Sequence, residues 1–306
     1  MNKIFAGFDL GGTYLKYCLG TGEGGILYKN RLDSKASGSI EDIIEAFKTA
    51  YNDLKVQADR MKCEISSAGI GTPGAIDQEK GIVFGSTPNI LTMKNYPLRA
   101  RLSEEFQLRT AMDNDGNLAA LAEAAAGAGK GHNSVLALTI GTGIGGGFVS
   151  NGKIFRGGHG SALEIGHTSI DYDGRLCGCG RRGCIEAYAS GSALLKAANH
   201  GRISFDTPQE VFSSAKEGVN SAVKAVNDAL NALSSGIANL LIAFDPGCVV
   251  IGGGVMPGYL DYWEELEQQV CDKVIDSLKG KAPILPAETG NDAGIIGAIL
   301  LASESY

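Results

Sequence analysis

The chain has 306 residues, 44% hydrophobic and 20% charged, with a net charge of −7; that is enough for two domains with cores of their own. The acidic balance offers no electrostatic footprint for nucleic acid or an anionic membrane, and the start MNKIFAGFDLGGT lacks the apolar run of a signal peptide. A cytoplasmic location is therefore expected, where an odd set of seven cysteines argues against a disulfide framework.

Residues 4–10, 14–20 and 26–32 read as three strands, joined at Gly11-Gly12-Thr13 and around Glu23-Gly24-Gly25, so the chain opens with a meander. Ile40, Ile43, Ile44, Phe47, Tyr51 and Leu54 recur at helical spacing. SSAGIGTPG (66–74) and TAMDND (110–115) are strands ending in loops, and 118–128 is an alanine-rich helix. Residues 134–155, SVLALTIGTGIGGGFVSNGKIF, repeat the opening pattern of strand, glycine turn and strand, which suggests a duplicated, two-lobed architecture. A long helix runs from Val219 to Phe244 and is stopped by Asp245-Pro246-Gly247. CVVIGGGV (248–255) is a buried strand with a glycine turn, 259–278 an amphipathic helix, and GIIGAILLA (294–302) a short apolar helix that needs cover from the first lobe.

The 44 glycines cluster at strand ends, where they permit positive φ and close approach to a ligand. G-x-G-x-x-G occurs at Gly20, Gly69 and Gly141, but none of the three opens a helix, as a dinucleotide fold requires. No P-loop is present. What remains is a hairpin-type phosphate site. Asp9 ends a buried strand and Gly11, Gly12 and Thr13 turn beyond it; amides and a hydroxyl suit phosphate oxygens, and the aspartate suits a phosphate-bound Mg²⁺. Gly141, Thr142 and Gly143 repeat the device without the aspartate. A single such turn would be an ordinary hairpin; the pair favours phosphate binding.

HTSIDYDGRLCGCGRRGCIE places His167, Cys177, Cys179 and Cys184 together, with Gly178, Gly180 and Gly183 between them to let the chain wrap tightly. Three thiolates and an imidazole complete a tetrahedral Zn²⁺ site. A disulfide would leave one thiol over, and a redox pair would prefer C-x-x-C. Asp113, Asn114, Asp115 and Asn117 precede a helix. Capping explains one or two of them; general-base work on an attacking hydroxyl is the functional alternative, open to Asp113 or Asp115 on these residues alone.

DLGGT, GTPG, NDGN, GTGIGGG, EIGH and CGCGRRGC, in this order over nearly the whole chain, resemble the ROK family of bacterial sugar kinases and sugar-responsive repressors. The resemblance implies an α/β, actin-like or ribonuclease H-like two-lobed fold with ATP and sugar in the interlobe cleft. The lobes would be 1–113 plus about 290–306, and 114–289 with the zinc segment at 167–184. It further implies ATP-dependent phosphorylation of a hexose 6-hydroxyl, with glucose favoured and N-acetylmannosamine or fructose as alternatives. Asp115 would be the base and Asn114 would hold the sugar; Glu164 and Glu186 would accept from sugar hydroxyls, with Gly74 and Asn89 as further pocket residues. His167 would bind structural zinc through one ring nitrogen and a sugar hydroxyl through the other. ATP would lie against Gly12, Thr13 and Thr142, with Mg²⁺ near Asp9 and adenosine near Gly252, Gly253 and Gly254. Gly116 departs from the alanine common in the family, without touching the chemistry. A homodimer is implied. The family's repressors carry an N-terminal helix-turn-helix, for which Asp9 in the first strand leaves no room; a non-catalytic sugar-binding regulator would be expected to lose Asp9 or Asp115, and both are present.

Overall fold

The computed structural model of the chain describes residues 3–84, 90–200 and 203–304. The opening meander is β1 (Lys3–Leu10), β2 (Tyr14–Gly20) and β3 (Ile26–Asp33). Helix α1 (Ile40–Met61) leads to β4 (Glu64–Thr72), which pairs in parallel with β1. The helix starts where it does because the Ser39 hydroxyl accepts from Asp42 N and the Asp42 carboxylate accepts from Ser39 N, a reciprocal cap. Its buried stripe of Ile43, Ile44, Phe47, Tyr51 and Leu54 is the one the spacing predicts. A small hairpin, β5 (Ala75–Asp77) and β6 (Ile82–Phe84), and helix α2 (Leu98–Phe106) precede β7 (Thr110–Asn114), which pairs in parallel with β4. The sequence reading has no counterpart for α2. Its three buried positions, Leu98, Leu102 and Phe106, are spread over nine residues whose others are all polar or charged except Ala100, too few for a period to emerge.

Helix α3 (Asp115–Ala126) begins three residues earlier than its apolar run suggests. The Asn114 side chain accepts from Gly116 N and Asn117 N, which fixes the start. The second round is β8 (Ser134–Ile140), β9 (Ile144–Ser150) and β10 (Lys153–Ile154), followed by α4 (Glu186–Ala189), α5 (Gly191–Ala198), α6 (Pro208–Lys216) and α7 (Asn220–Phe244). Strand β11 (Cys248–Gly252) pairs in parallel with β8 and with β12 (Ile284–Pro286). The two five-stranded sheets, β3-β2-β1-β4-β7 and β10-β9-β8-β11-β12, share one plan, as the echoed glycine turns suggest. Helix α7 ends at Asp245, which takes φ 44 and donates its N–H to Leu241 O.

The single helix expected over 259–278 is corrected. After α8 (Met256–Tyr259), a 3-10 turn covers Leu260–Tyr262, α9 covers only Trp263–Lys273, and a second 3-10 turn follows at Asp276–Leu278. Tyr259 is wholly buried and donates its hydroxyl to Ala189 O, and β-branched Val274 turns extended as it enters the core. Anchors at both ends thus cut the helix short. The last helix is α10 (Ala293–Glu304). Among the described residues no helix is long and apolar enough to cross a membrane.

Two compact units emerge: Met1–Gly131, Gly147–Ala162 and Thr289–Tyr306 in the first, His132–Gly146 and Leu163–Glu288 in the second. Helix α3 and residues 147–162, placed with the larger lobe by the sequence reading, fall in the first unit because α3 packs against α10. In that unit α1 and α2 cover one face of the sheet, with the Phe8 ring stacked 5.2 Å from Phe106 and tilted 5.6 Å from Phe47. On the other face α10 lies so close to β1 and β4 that a Cβ at Gly69 would overlap Ala298 O, and one at Gly7 would come within 2.7 Å of Ile295 O. Gly69, which opens one of the three glycine motifs, therefore serves helix packing and not a ligand. In the second unit α7 is the central helix, packed against α4, α5, α6 and α9.

Candidate functional site

In the first unit Gly11 N donates to Tyr14 O at 2.9 Å, closing the turn between β1 and β2 and leaving Gly12 and Thr13 exposed. Register sets Lys16 opposite Asp9, with its ammonium 3.9 Å from Asp9 Oδ2 and donating to Asn291 O at 2.9 Å. Another neighbour of the carboxyl is the first turn of α10, where a Cβ at Gly294 would reach within 2.5 Å of Asp9 Oδ2. Burial pushes the Asp9 carboxyl above its usual range, and the Lys16 charge opposes that shift. A carboxylate held this way gains from further positive charge. Lys16 and Gly294 were missed. The tight turn would have revealed Lys16 through register, whereas nothing local points to Gly294.

Strand β7 delivers Asn114 opposite Thr72, and Asn114 Nδ2 donates to Gly74 O at 3.1 Å, with Gly74 at φ 92. The structure thus brings Gly74 and Asn114 together. Asp115, first residue of α3, is exposed and accepts from Gly116 N at 2.9 Å. Asp113 is 1% exposed. Its Oδ2 pairs with Arg156 Nε at 2.6 Å, and its Oδ1 accepts from Asn114 N at 2.8 Å and Asn117 Nδ2 at 2.9 Å. Two aspartates two positions apart therefore occupy opposite environments. Asn89 lies outside the described residues.

In the second unit Gly141 N donates to Gly143 O at 2.9 Å, with Thr142 exposed between them, the counterpart of the Gly11 turn. Gly191 N, at the start of α5, donates to Gly141 O at 2.9 Å. Gly253 takes φ 98 and lies against Ile140, where a Cβ would come 2.6 Å from the backbone nitrogen. Gly254 O accepts from Gln209 Nε2 at 3.0 Å. The Gly141–Gly143 and Gly252–Gly254 turns are therefore neighbours at the carboxyl ends of two paired parallel strands, β8 and β11.

His167 closes a 3-10 turn, Ile165–His167, that follows exposed Glu164. Leu163, immediately before, takes φ 64, a left-handed conformation a branched residue adopts only under constraint. Cys177 and Cys179 lie in a loop closed by the Leu176–Arg182 bridge, and Cys184 bridges to Ser169. The four ligand atoms lie within 4.8 Å of one another. Cys177 Sγ is 3.7 Å from His167 Nδ1 and Cys179 Sγ 3.7 Å from Cys184 Sγ. A regular tetrahedron with 3.7 Å edges would have its centre about 2.3 Å from its corners, the Zn–S bond length; two of the six separations have that value, and all lie within 4.8 Å. Burial pushes the Cys184 thiol up to about 12, with the other two sulfurs adding to it, and also raises Cys177; the Arg181 N–H lowers Cys179. Three thiolates coexist here at neutral pH only against a cation, so the donor set fits zinc.

Glu186 joins this cluster to the glycine turn. Its Oε2 accepts from Ile144 N at 2.9 Å, and its Oε1 lies 3.7 Å from Cys177 Sγ and 3.9 Å from His167 Nδ1. Of the loop glycines, Gly183 is required: it takes φ 71, and a Cβ would overlap Asp171 O. Gly180 takes φ 86. Gly178 has nothing near its Cβ position, so the tight wrap expected of all three rests on two of them.

The family model described as ROK family matches residues 5–305. The chain is 33% identical over 312 residues to a glucokinase of Thermotoga maritima, covering 97% of this chain and 96% of that one. It is 34% identical over 297 residues to an N-acetylmannosamine kinase of Escherichia coli, covering 96% of each. A solved ROK family glucokinase from Streptomyces griseus, in complex with glucose and AMPPNP, superposes with a TM-score of 0.79 at 31% identity, covering 98% of this chain and 99% of that one.

Proposed function

Because this chain belongs to the ROK family and has its actin-like, ribonuclease H-like α/β fold, it is an ATP-dependent sugar kinase, and we propose that it is a glucokinase transferring the γ-phosphoryl group of Mg-ATP to the 6-hydroxyl of glucose. The observation that carries the residue roles is the contrast between the two aspartates. Asp113 is enclosed and bonded to Arg156, Asn114 and Asn117, whereas Asp115 stands exposed at the start of α3. Asp115 is the group that accepts the proton of the attacking hydroxyl. The transition state of phosphoryl transfer is loose, so a carboxylate that holds and orients the hydroxyl is sufficient.

Asn114 bonds Gly74 O through one amide hydrogen and offers the second to a sugar oxygen. Glu164, His167 and Glu186 accept from or donate to the remaining sugar hydroxyls. The amides of Gly12, Thr13, Thr142 and Gly143 face the phosphates; Gly141 completes that turn, and Gly253 and Gly254 take the adenosine. Asp9 would hold the Mg²⁺ that accompanies ATP, and that ion would neutralise phosphate charge. His167, Cys177, Cys179 and Cys184 would hold zinc, which would supply a fixed orientation and tautomer for the His167 ring. A homodimer belongs to the same proposal and is read by light scattering.

The N-acetylmannosamine kinase reading is kept because that relative is as similar as the glucokinase. A coupled ADP-release assay over glucose, N-acetylmannosamine, N-acetylglucosamine, fructose and mannose separates them, with Asp115→Asn as control. Turnover on glucose, reduced at least about 10²-fold in the variant, is the expected result. Preference for N-acetylmannosamine replaces glucokinase with the second reading. Full turnover by Asp115→Asn removes Asp115 as the base.

A further inference from the structure

Asp113 has no part in the proposed transfer, yet it is 1% exposed and fully engaged. Arg156 approaches it from 43 positions along the chain, just beyond β10, and donates Nε–H to Oδ2 at 2.6 Å. The other oxygen takes the Asn114 amide at 2.8 Å and the Asn117 side-chain amide at 2.9 Å. Glu304 on α10 feels Arg156, Lys153 on β10 and Asp113, so it and Lys153 are further charged groups near the pair.

The Asn117 amide shows how strongly this carboxylate commands its surroundings. Asn117 is 4% exposed, and turning its nitrogen to Asp113 leaves its Oδ1 buried with no partner. Such an atom costs free energy. The flipped amide would set its oxygen against the Asp113 carboxylate, which is worse. The ion pair is itself weak support for stability, since Asp113 is enclosed at a desolvation cost while Arg156 keeps about a third of its side chain in solvent. The arrangement gives up stability and gains geometry, at the residues that lead into Asp115.

We infer that Arg156 is a positioning residue for phosphoryl transfer. Through Asp113 it fixes the backbone at Asn114 and the first turn of α3, and so aims Asn114 and Asp115 at the acceptor hydroxyl. The planar guanidinium suits this task because its N–H directions are set by the group itself, unlike those of an ammonium. The inference rests on the kinase reading with Asp115 as base.

The test compares Arg156→Met, Arg156→Lys and the double variant Asp113→Asn with Arg156→Met, on the sugar the unaltered enzyme prefers. Turnover, both KM values, thermal melting and amide hydrogen exchange over residues 113–118 are measured. Arg156→Met should lower kcat about 10- to 100-fold, with both KM values within about threefold, since small displacements at a reacting centre act mainly on rate. Exchange should quicken in the first turn of α3 and not elsewhere in the first unit. Arg156→Lys should recover part of kcat. The double variant strands no buried charge, so it folds, and its kcat should stay low. Unchanged kcat and exchange in a normally melting Arg156→Met overturns the inference. So does full recovery in the double variant, which would trace the defect to a stranded charge. Failure of the unaltered protein on every sugar shows separately, before any variant is compared, that the kinase reading itself is wrong, and the positioning role falls with it.

Discussion

Replacing Cys179 by alanine separates a metal cluster from a chance gathering of thiols. Cys179 is the exposed member of the four, so truncating it opens no core cavity, and any loss must come through ligation. The four donor atoms lie within 4.8 Å of one another, with Cys177–His167 and Cys179–Cys184 at 3.7 Å, a span that suits tetrahedral ligation. Without its fourth corner the site holds zinc far less tightly, and the His167 ring and the Glu186 carboxylate beside it lose their common anchor. Sugar KM should rise about 10- to 100-fold, by analogy with loss of groups that orient metal ligands, with a smaller change in kcat. Zinc content by plasma mass spectrometry should fall from about one ion per chain to near zero. A Cys179→Ala variant with wild-type sugar KM would refute the link between the cluster and the sugar. Unaltered protein that is fully active without zinc would refute the cluster itself.

Asp9→Asn should cost at least about 10²-fold in kcat/KM for Mg-ATP, yet melt higher than the unaltered protein at pH 8. Burial raises the folded carboxyl, so its ionised form is a burden above the unfolded pKa, and the difference in melting closes towards pH 4. Asp53 has the opposite sign. Burial opposes its ionisation, but Tyr28, Tyr17, Gln57 and Asn30 all donate to it and hold it below the usual range. Its contribution is present above the unfolded pKa and lost as pH falls through the folded one. Asp53→Asn should therefore lose about 1–2 kcal/mol in urea unfolding at pH 7 and much less at pH 3. Gly69→Ala puts a Cβ into Ala298 O and within 2.7 Å of Ala298 C, so α10 must shift. A loss of about 1–3 kcal/mol is expected, with reduced turnover because the first turn of α10 meets Asp9; an unchanged urea midpoint would contradict the packing.

The elements legible in the sequence are those whose information is local. The opening meander, the stripes of α1 and α7 and the stop at Asp245 follow from period and turn chemistry over a few residues. The candidate metal ligands are legible for the same reason. His167, Cys177, Cys179 and Cys184 lie close enough in the chain for spacing alone to bring them together. Asp113 and Asp115 are not separable this way, since chemically they are the same residue and both precede the apolar run of α3. Only the arrival of Arg156 from β10 decides which one is enclosed. Gly294 against Asp9 and Gly69 under Ala298 depend equally on where α10 docks, and no local pattern in β1 or β4 encodes a helix more than two hundred residues away. The sequence determined by itself which groups can do the chemistry; tertiary packing decided which of them are enclosed and which stand exposed, because burial is set by segments far apart in the chain.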